Sequence, residues 1–263
     1  MTIFKPRKRF GQNFLIDDSI IEKIMIAINP KSNDSIIEIG PGLSALTAPL
    51  LDKLDSLIAI EIDKDIARIL RDRYSSKKLI LLENDVMKQD FSIFGRNIRI
   101  VGNLPYNISS PLLFHLMSVA DIVIDQHFML QKEVVDRMVA IPSSKSYGRL
   151  SVMLQERYKI EKLFDVSPES FYPKPKVFSS IVRLIPLSDE RNKPNNYLLF
   201  KKIVLEAFSK RRKTLRNSLK NISKNIHWDK LMISPESRAE DISVEQFINL
   251  SDHFFNDQIG CRL

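Results

Sequence analysis

Asn103-Leu104-Pro105-Tyr106 sets an amide, a rigid proline and an aromatic ring directly behind the apolar run Asn97–Gly102. Asn and Pro are ordinary turn residues, but together these four suit one particular chemistry, the methylation of an exocyclic amine on a nucleobase. The lone pair of such an amine is delocalised into its ring, so in the plane it is a poor nucleophile. Acceptors for its two N–H groups, the Asn103 side chain and a backbone carbonyl near Leu104, favour the pyramidal geometry that frees the pair. Pro105 stiffens that backbone. Tyr106 offers a face on which an unstacked base can lie, with its nitrogen in line for transfer.

Methyl transfer needs a donor, and a nucleotide-like pocket is written earlier in the chain. Gly40-Pro41-Gly42-Leu43-Ser44 follows an apolar run and precedes a helix-like segment, where glycines allow a sharp turn and close approach to a ligand. Glu61 ends the next apolar run, 21 residues past Gly40, and can accept from both hydroxyls of a ribose. Asp85 ends the third run, in Glu83-Asn84-Asp85-Val86, where it could read an adenine amino group. Solvated loop acids are the plain alternative for both carboxylates, and their common register argues against it. A dinucleotide is disfavoured because Ala45 stands where G-x-G-x-x-G has its third glycine. S-adenosyl-L-methionine, which has no pyrophosphate to seat, tolerates that loss.

These groups meet only if the elements carrying them are parallel strands. Ser35–Gly40, Leu57–Ile62, Lys78–Glu83 and Asn97–Gly102 are short and rich in Ile, Leu and Val, as strands buried on both faces are. Ala45–Leu51 and Lys64–Tyr74 between them have helical spacing; Ile122–Gln131 predicts a further strand, and the segment after it, 132–141, a helix. Such alternation predicts a doubly wound, Rossmann-like α/β sheet, whose ligands bind beyond the carboxyl ends of the strands at the topological switch point. Leu187–Asn196 is polar and aperiodic, a linker between a domain over 1–187 and a smaller all-α domain over 188–263, with Ser243 as a helix cap.

Of 263 residues, 44% are hydrophobic and 27% charged, as in globular proteins, and no apolar run approaches a membrane span or a secretory leader. The lone cysteine, Cys261, forms no internal disulfide, and a reducing cytoplasmic location is the simplest expectation. The net charge of +8 is clustered: Lys201–Lys224 holds nine Lys/Arg against one acid, Glu206, and Lys5, Arg7, Lys8 and Arg9 form a second group. Clustered cations favour a polyanion, and the lack of a wide apolar, aromatic face favours nucleic acid over a membrane. His115, His127, His227 and His253 have no ligand spacing, so no metal is expected.

The segments KRFGQNFL, EIGPGLSALT, NLPYNISSPLL, YGRLSVMLQ, FYPKPKVFSSIVRL and AFSKRRKTLRNSL together closely resemble the KsgA-type small-subunit ribosomal RNA adenine N6,N6-dimethyltransferases, from about Lys8 to Leu219. The resemblance implies an S-adenosyl-L-methionine-dependent methyltransferase that dimethylates two adjacent adenines in the 3′-terminal hairpin of small-subunit rRNA during late assembly of the subunit, with the immature small subunit as expected partner; nothing in the sequence points to an obligate dimer, so a monomer is expected. It implies catalytic roles for Asn103, Leu104, Pro105 and Tyr106, and cofactor contacts from Asn13, Leu15, Gly40, Gly42, Glu61, Asp85 and Asn103. Asn13 and Leu15 rest on it alone; their residue types predict only a lead-in to a helix capped by Asp17 or Asp18. It sets the loop carrying Lys174 and Lys176 near the substrate pocket, with Phe171 or Phe178 flanking the base and core packing as the role of at least one. Lys174, Lys176, Lys210, Arg211, Arg212, Lys213 and Arg216 then become RNA contacts that position rather than select. The rival expectations are a large-subunit rRNA adenine methyltransferase of the macrolide-resistance type and a non-catalytic nucleic-acid-binding relative; the unbroken NLPY argues against the second.

Overall fold

A computed structural model describes residues 12–210, 212–220, 222 and 226–260. The first unit, the chain up to Val135 together with Lys159–Pro186, is built on a seven-stranded sheet and also carries a separate two-stranded one. Its elements run β1 (Phe14–Leu15), α1 (Asp18–Ile28), β2 (Ser35–Ile39), α2 (Thr47–Leu51), β3 (Leu57–Glu61), α3 (Lys64–Arg73), β4 (Leu79–Glu83), β5 (Ile98–Asn103), α4 (Ser109–Leu116), β6 (Val123–Gln131) and α5 (Lys132–Met138). After α6 (Arg149–Arg157) come β7 (Tyr158–Val166), β8 (Phe171–Tyr172) and β9 (Ser179–Pro186).

Seven strands lie in the order β4-β3-β2-β5-β6-β9-β7. Neighbours from β4 to β6 pair parallel, and β9 runs antiparallel to β6. The chain leaves β2 for β3 and β4 on one side and returns to β5 on the other, so the order reverses between β2 and β5. That crevice is where such a sheet binds ligands. The two strands approach so closely there that a Cβ on Gly102 would lie 2.5 Å from the Ile39 carbonyl oxygen, and only glycine fits. As expected of central strands, Ile36, Ile37, Ile39, Ile98, Ile100 and Val101 are buried. β4 departs from that expectation: as the edge strand it leaves Ile80 exposed.

Asp17 caps α1, accepting from the Ser19 and Ile20 amides, and Asp63 caps α3, accepting from the Asp65 amide. Away from the crevice, Arg99 joins β5 to β6 by a two-pronged ion pair with Asp125, at 2.8 and 2.9 Å, and also holds Asp34 at 2.7 Å. His127 is buried beside it, and burial pushes its imidazole pKa down to about 4.

The second unit takes Asp136–Tyr158 as well as Leu187–Leu263. Where a single boundary after residue 187 is expected, the chain crosses between the units three times, within α5 after Val135, after Tyr158 and after Pro186, because α6 belongs to the helical unit. That unit adds α7 (Tyr197–Ser209), α8 (Leu215–Leu219), α9 (Trp228–Leu231) and α10 (Val244–Gly260). Phe200, Ile203 and Val204 of α7 and Phe247, Leu250 and Phe254 of α10 are buried in its core. Ser243 caps α10 through reciprocal bonds with Gln246. The polar 187–196 stretch is not simply solvated, since Arg191 pairs with the buried Glu156 at 3.2 Å. No helix among the described residues is long and apolar enough to cross a membrane.

Candidate active site

An open cavity of about 550 Å³ occupies the crevice beyond β2 and β5, a size typical of small-molecule and cofactor sites. Asn13, Leu15, Gly40, Gly42, Glu61, Asp85 and the whole Asn103–Tyr106 segment line it. The fold thus gathers every expected cofactor and catalytic residue around one space.

The loop after β2 is wound tightly, with positive φ at Gly40 (67°), Gly42 (53°) and Ser44 (79°). A Cβ on Gly42 would lie 3.2 Å from two ring carbons of Phe14, so a side chain there meets both strain and crowding. Glu61, at the end of β3, is only 6% exposed. Burial pushes its carboxyl pKa up, while the Asp63, Gly42 and Ile62 amides pull the other way. The Asp63 amide donates to Glu61 Oε1 at 2.8 Å. Asp85 sits past β4 and uses Oδ1 to accept from the Met87 amide at 3.0 Å. A buried carboxylate, a second acid at the rim and a glycine loop suit the ribose and adenine of S-adenosyl-L-methionine. This donor set fits that cofactor.

At the end of β5, Asn103 Nδ2 donates to the Asn13 backbone carbonyl at 2.9 Å. That bond fixes which way the amide points: nitrogen toward the N-terminal segment, and Oδ1 left as an acceptor. The Leu104 amide donates to the Met129 carbonyl at 3.1 Å, prolonging the ladder onto β6. The Pro105 carbonyl is already taken by the Ile108 amide and the Ser109 hydroxyl. Of the neighbouring carbonyls, that leaves Leu104's own as a candidate for the backbone acceptor expected near Leu104. Tyr106 is half-buried, and its hydroxyl shares a 2.6 Å hydrogen bond with the Ser179 hydroxyl. Burial raises the phenol pKa, with Ser179 opposing it. The ring is held from its far end.

Three residues that matter here escape sequence reasoning. Glu38, 2% exposed, forms part of the cavity wall, accepts from Thr47 Oγ1 at 2.7 Å and has its carboxyl pushed up to about 8, mainly by burial. Its signal was available, a carboxylate inside the otherwise apolar Ile36-Ile37-Glu38-Ile39. Asp63 accepts from Gln12 Nε2 at 3.1 Å and so ties the N-terminal segment to α3. Ser179 carries no local signal, because it lies 73 residues from its partner Tyr106.

Of the two candidate aromatics, Phe171 is 3% exposed and packs in the core, whereas Phe178 is 51% exposed. Lys174 and Lys176 are exposed, Lys174 in an ion pair with Glu169. Lys210, Arg212, Lys213 and Arg216 are exposed in the helical unit, and Arg216 lies 3.4 Å from Glu236. Arg211, the N-terminal cations Lys5, Arg7, Lys8 and Arg9, and Cys261 lie outside the described residues. The fold brings His227 and His253 together, ring centroids 5.4 Å apart, which their spacing did not predict. Among the described residues no group of three or more His, Cys, Asp or Glu could hold a metal ion.

Comparison with known proteins gives the same direction. Residues 3–255 match the family described as ribosomal RNA adenine dimethylase. The ribosomal RNA small subunit methyltransferase A of Bordetella pertussis is 55% identical over 252 residues, 96% of this chain and 95% of that protein. The structure of a dimethyladenosine transferase from Plasmodium falciparum superposes with a TM-score of 0.79 at 28% identity, over 93% of this chain and 98% of that one. The 23S rRNA methyltransferase ErmE, at 23% identity and a TM-score of 0.69 over 92% and 100% of the two chains, shares the fold. With the family pattern spanning nearly the whole sequence and close relatives at more than half identity, the chain belongs to the ribosomal RNA adenine dimethylases.

Proposed function

We propose that this enzyme, with S-adenosyl-L-methionine as methyl donor, dimethylates N6 of two adjacent adenines in the 3′-terminal hairpin of small-subunit rRNA. The observation that carries the reading is the fixed Asn103 amide, whose Oδ1 is left as an acceptor at the switch-point cavity. Asn103 Oδ1 and the Leu104 carbonyl accept the two N–H groups of the target amine and bias it toward the pyramidal form. Pro105 keeps that carbonyl in place, and the Tyr106 ring, anchored through Ser179, holds the base plane. Glu61 would hold the ribose hydroxyls of the cofactor and Asp85 its adenine amino group, with Asn13, Leu15, Gly40 and Gly42 closing around the rest. The cofactor supplies an electrophilic methyl group on a sulfonium. These residues bind, orient and polarise; none of those holding the amine is a base, so the proton that the methylated amine sheds passes to solvent.

Lys210, Arg212, Lys213 and Arg216, with Arg211 beside them in sequence, contact phosphates and set register rather than base choice. Lys174 and Lys176 do the same beside the cavity. The enzyme acts as a monomer in the cytoplasm, on a small subunit still under assembly. The test is to incubate the protein with methyl-labelled donor and either immature small subunits or large-subunit rRNA, then map the methylated adenines. Label in the adjacent adenines of the small-subunit hairpin is expected. Label only in large-subunit RNA would overturn the assignment, and transfer to neither would favour a binding protein.

A further inference from the structure

The segment from Tyr172 to Phe178 is fastened at both ends to the walls of the cavity. At its start β8 pairs antiparallel with β1, Phe14 opposite Tyr172 and Leu15 opposite Phe171. The Ile16 amide donates to the Ser170 carbonyl at 2.9 Å. At its end the Lys132 amide donates to the Phe178 carbonyl at 2.9 Å, and the next residue, Ser179, holds the Tyr106 hydroxyl. Phe14, Leu15, Ile16 and Tyr106 all line the cavity. The loop is thus tied at both ends to residues of the cavity wall or their neighbours, and Pro175 within it and Phe171 just before it are buried.

What the loop shows to solvent is unusual. Tyr172 is 61% exposed, Phe178 51% and Val177 43%, with exposed Lys174 and Lys176 among them. Two aromatic faces in the open would be a liability on an ordinary surface. Aromatic rings interleaved with cations are the pattern by which proteins hold unpaired nucleotides, through base stacking and phosphate neutralisation. Apolar side chains broken up by lysines within seven residues offer too little continuous area for a protein partner.

We propose that Tyr172 and Phe178 form a stacking platform for the unpaired nucleotide next to the target adenine, with Lys176 on its phosphate. The inference rests on the proposed reaction at the same cavity. A base drawn into the cavity leaves its neighbour with one face unstacked. The platform, fixed on the same residues that frame the cavity, restores that contact and sets the strand's path into the site.

The test uses the full chain in steady-state methylation of immature small subunits. Phe178→Ala and Tyr172→Ala should each raise KM for the particle by about tenfold and leave kcat and cofactor affinity within about twofold. Phe178→Trp should restore KM, and Phe178→Leu should not, since stacking needs a ring. A separate arm measures 2-aminopurine fluorescence in a short single-stranded RNA carrying the probe beside an adenine; quenching by the parent should be lost in the Phe178→Ala, Tyr172→Ala double variant. Unchanged KM in the double variant, rescue by leucine equal to tryptophan, or quenching retained without both rings would overturn the platform. A parent that methylates nothing overturns the proposed reaction instead, and the quenching arm still decides the stacking.

Discussion

Replacing Glu38 by Gln should change how stability depends on pH, and the sign follows from the structure. Glu38 is buried in β2 with Thr47 donating to it, and its carboxyl is pushed from 4.5 to about 8 by burial, with Glu61's charge adding to the effect. A carboxyl whose folded pKa is raised gives stability that is fully present below pH 4.5 and is lost as pH climbs to 8. His127 acts oppositely: buried and pushed down from 6.5 to about 4, it gives stability that is full above pH 6.5 and lost as pH falls through 4. The two offset each other between about pH 4.5 and 6.5. From 6.5 to 8 the Glu38 loss stands without the His127 gain, about 2 kcal/mol at about 1.4 kcal/mol per pH unit. In a chain of this length that is a fall in Tm of about 4–8 °C. Glu61, also raised, contributes in the same direction. Glu38→Gln keeps an acceptor for Thr47 and removes the titration. Thermal unfolding without cofactor, at pH 6.5 and 8, should show the parent losing stability and the variant losing clearly less. Equal losses in the two proteins would refute the assignment of that titration to Glu38.

Asn103→Ala should cut kcat by about 10²-fold, on the scale of losing one preorganised hydrogen-bonding group, with RNA affinity nearly unchanged; weakened RNA binding at parental turnover would show that the amide does not serve the amine. Tyr106→Phe, which loses only the bond to Ser179, should reduce kcat by no more than about tenfold, and Tyr106→Ala should do far more damage; equal effects would remove the ring from the mechanism. Arg99→Ala takes the buried cation from Asp125 and Asp34 and leaves Asp125 only the more exposed Arg183 at 3.4 Å, so urea unfolding should report a loss of about 3–5 kcal/mol, and a loss below about 1 kcal/mol would show that Arg183 and water already compensate these carboxylates.

The strand–helix alternation and the rim residues of β2, β3, β4 and β5 were legible because each depends on local pattern. A parallel strand buried on both faces must be apolar throughout, and a residue just past its carboxyl end must face the crevice. The discontinuous helical unit was not legible, because α6 carries the same apolar spacing whichever core it joins. Nor was the edge character of β4, which is settled by what fails to pair with it rather than by its own residues. The chemistry of the site divides along the same line. Sequence could nominate Asn103 as an acceptor, but an amide has a donor end as well, and nothing near it in the chain decides which end enters the cavity. The decision comes from the Asn13 carbonyl, 90 residues away, and the posture of Tyr106 comes from Ser179, 73 residues away. Asn13, which residue type alone gave no reason to single out, thereby acquires a physical role: its carbonyl orients the Asn103 amide, to which we assign the target amine, and the strand that follows it directly is β1. It is also the strand on which the Tyr172–Phe178 loop is fastened. A substitution that loosens β1 should therefore harm amine polarisation and strand guidance together, although none of its side chains does any chemistry.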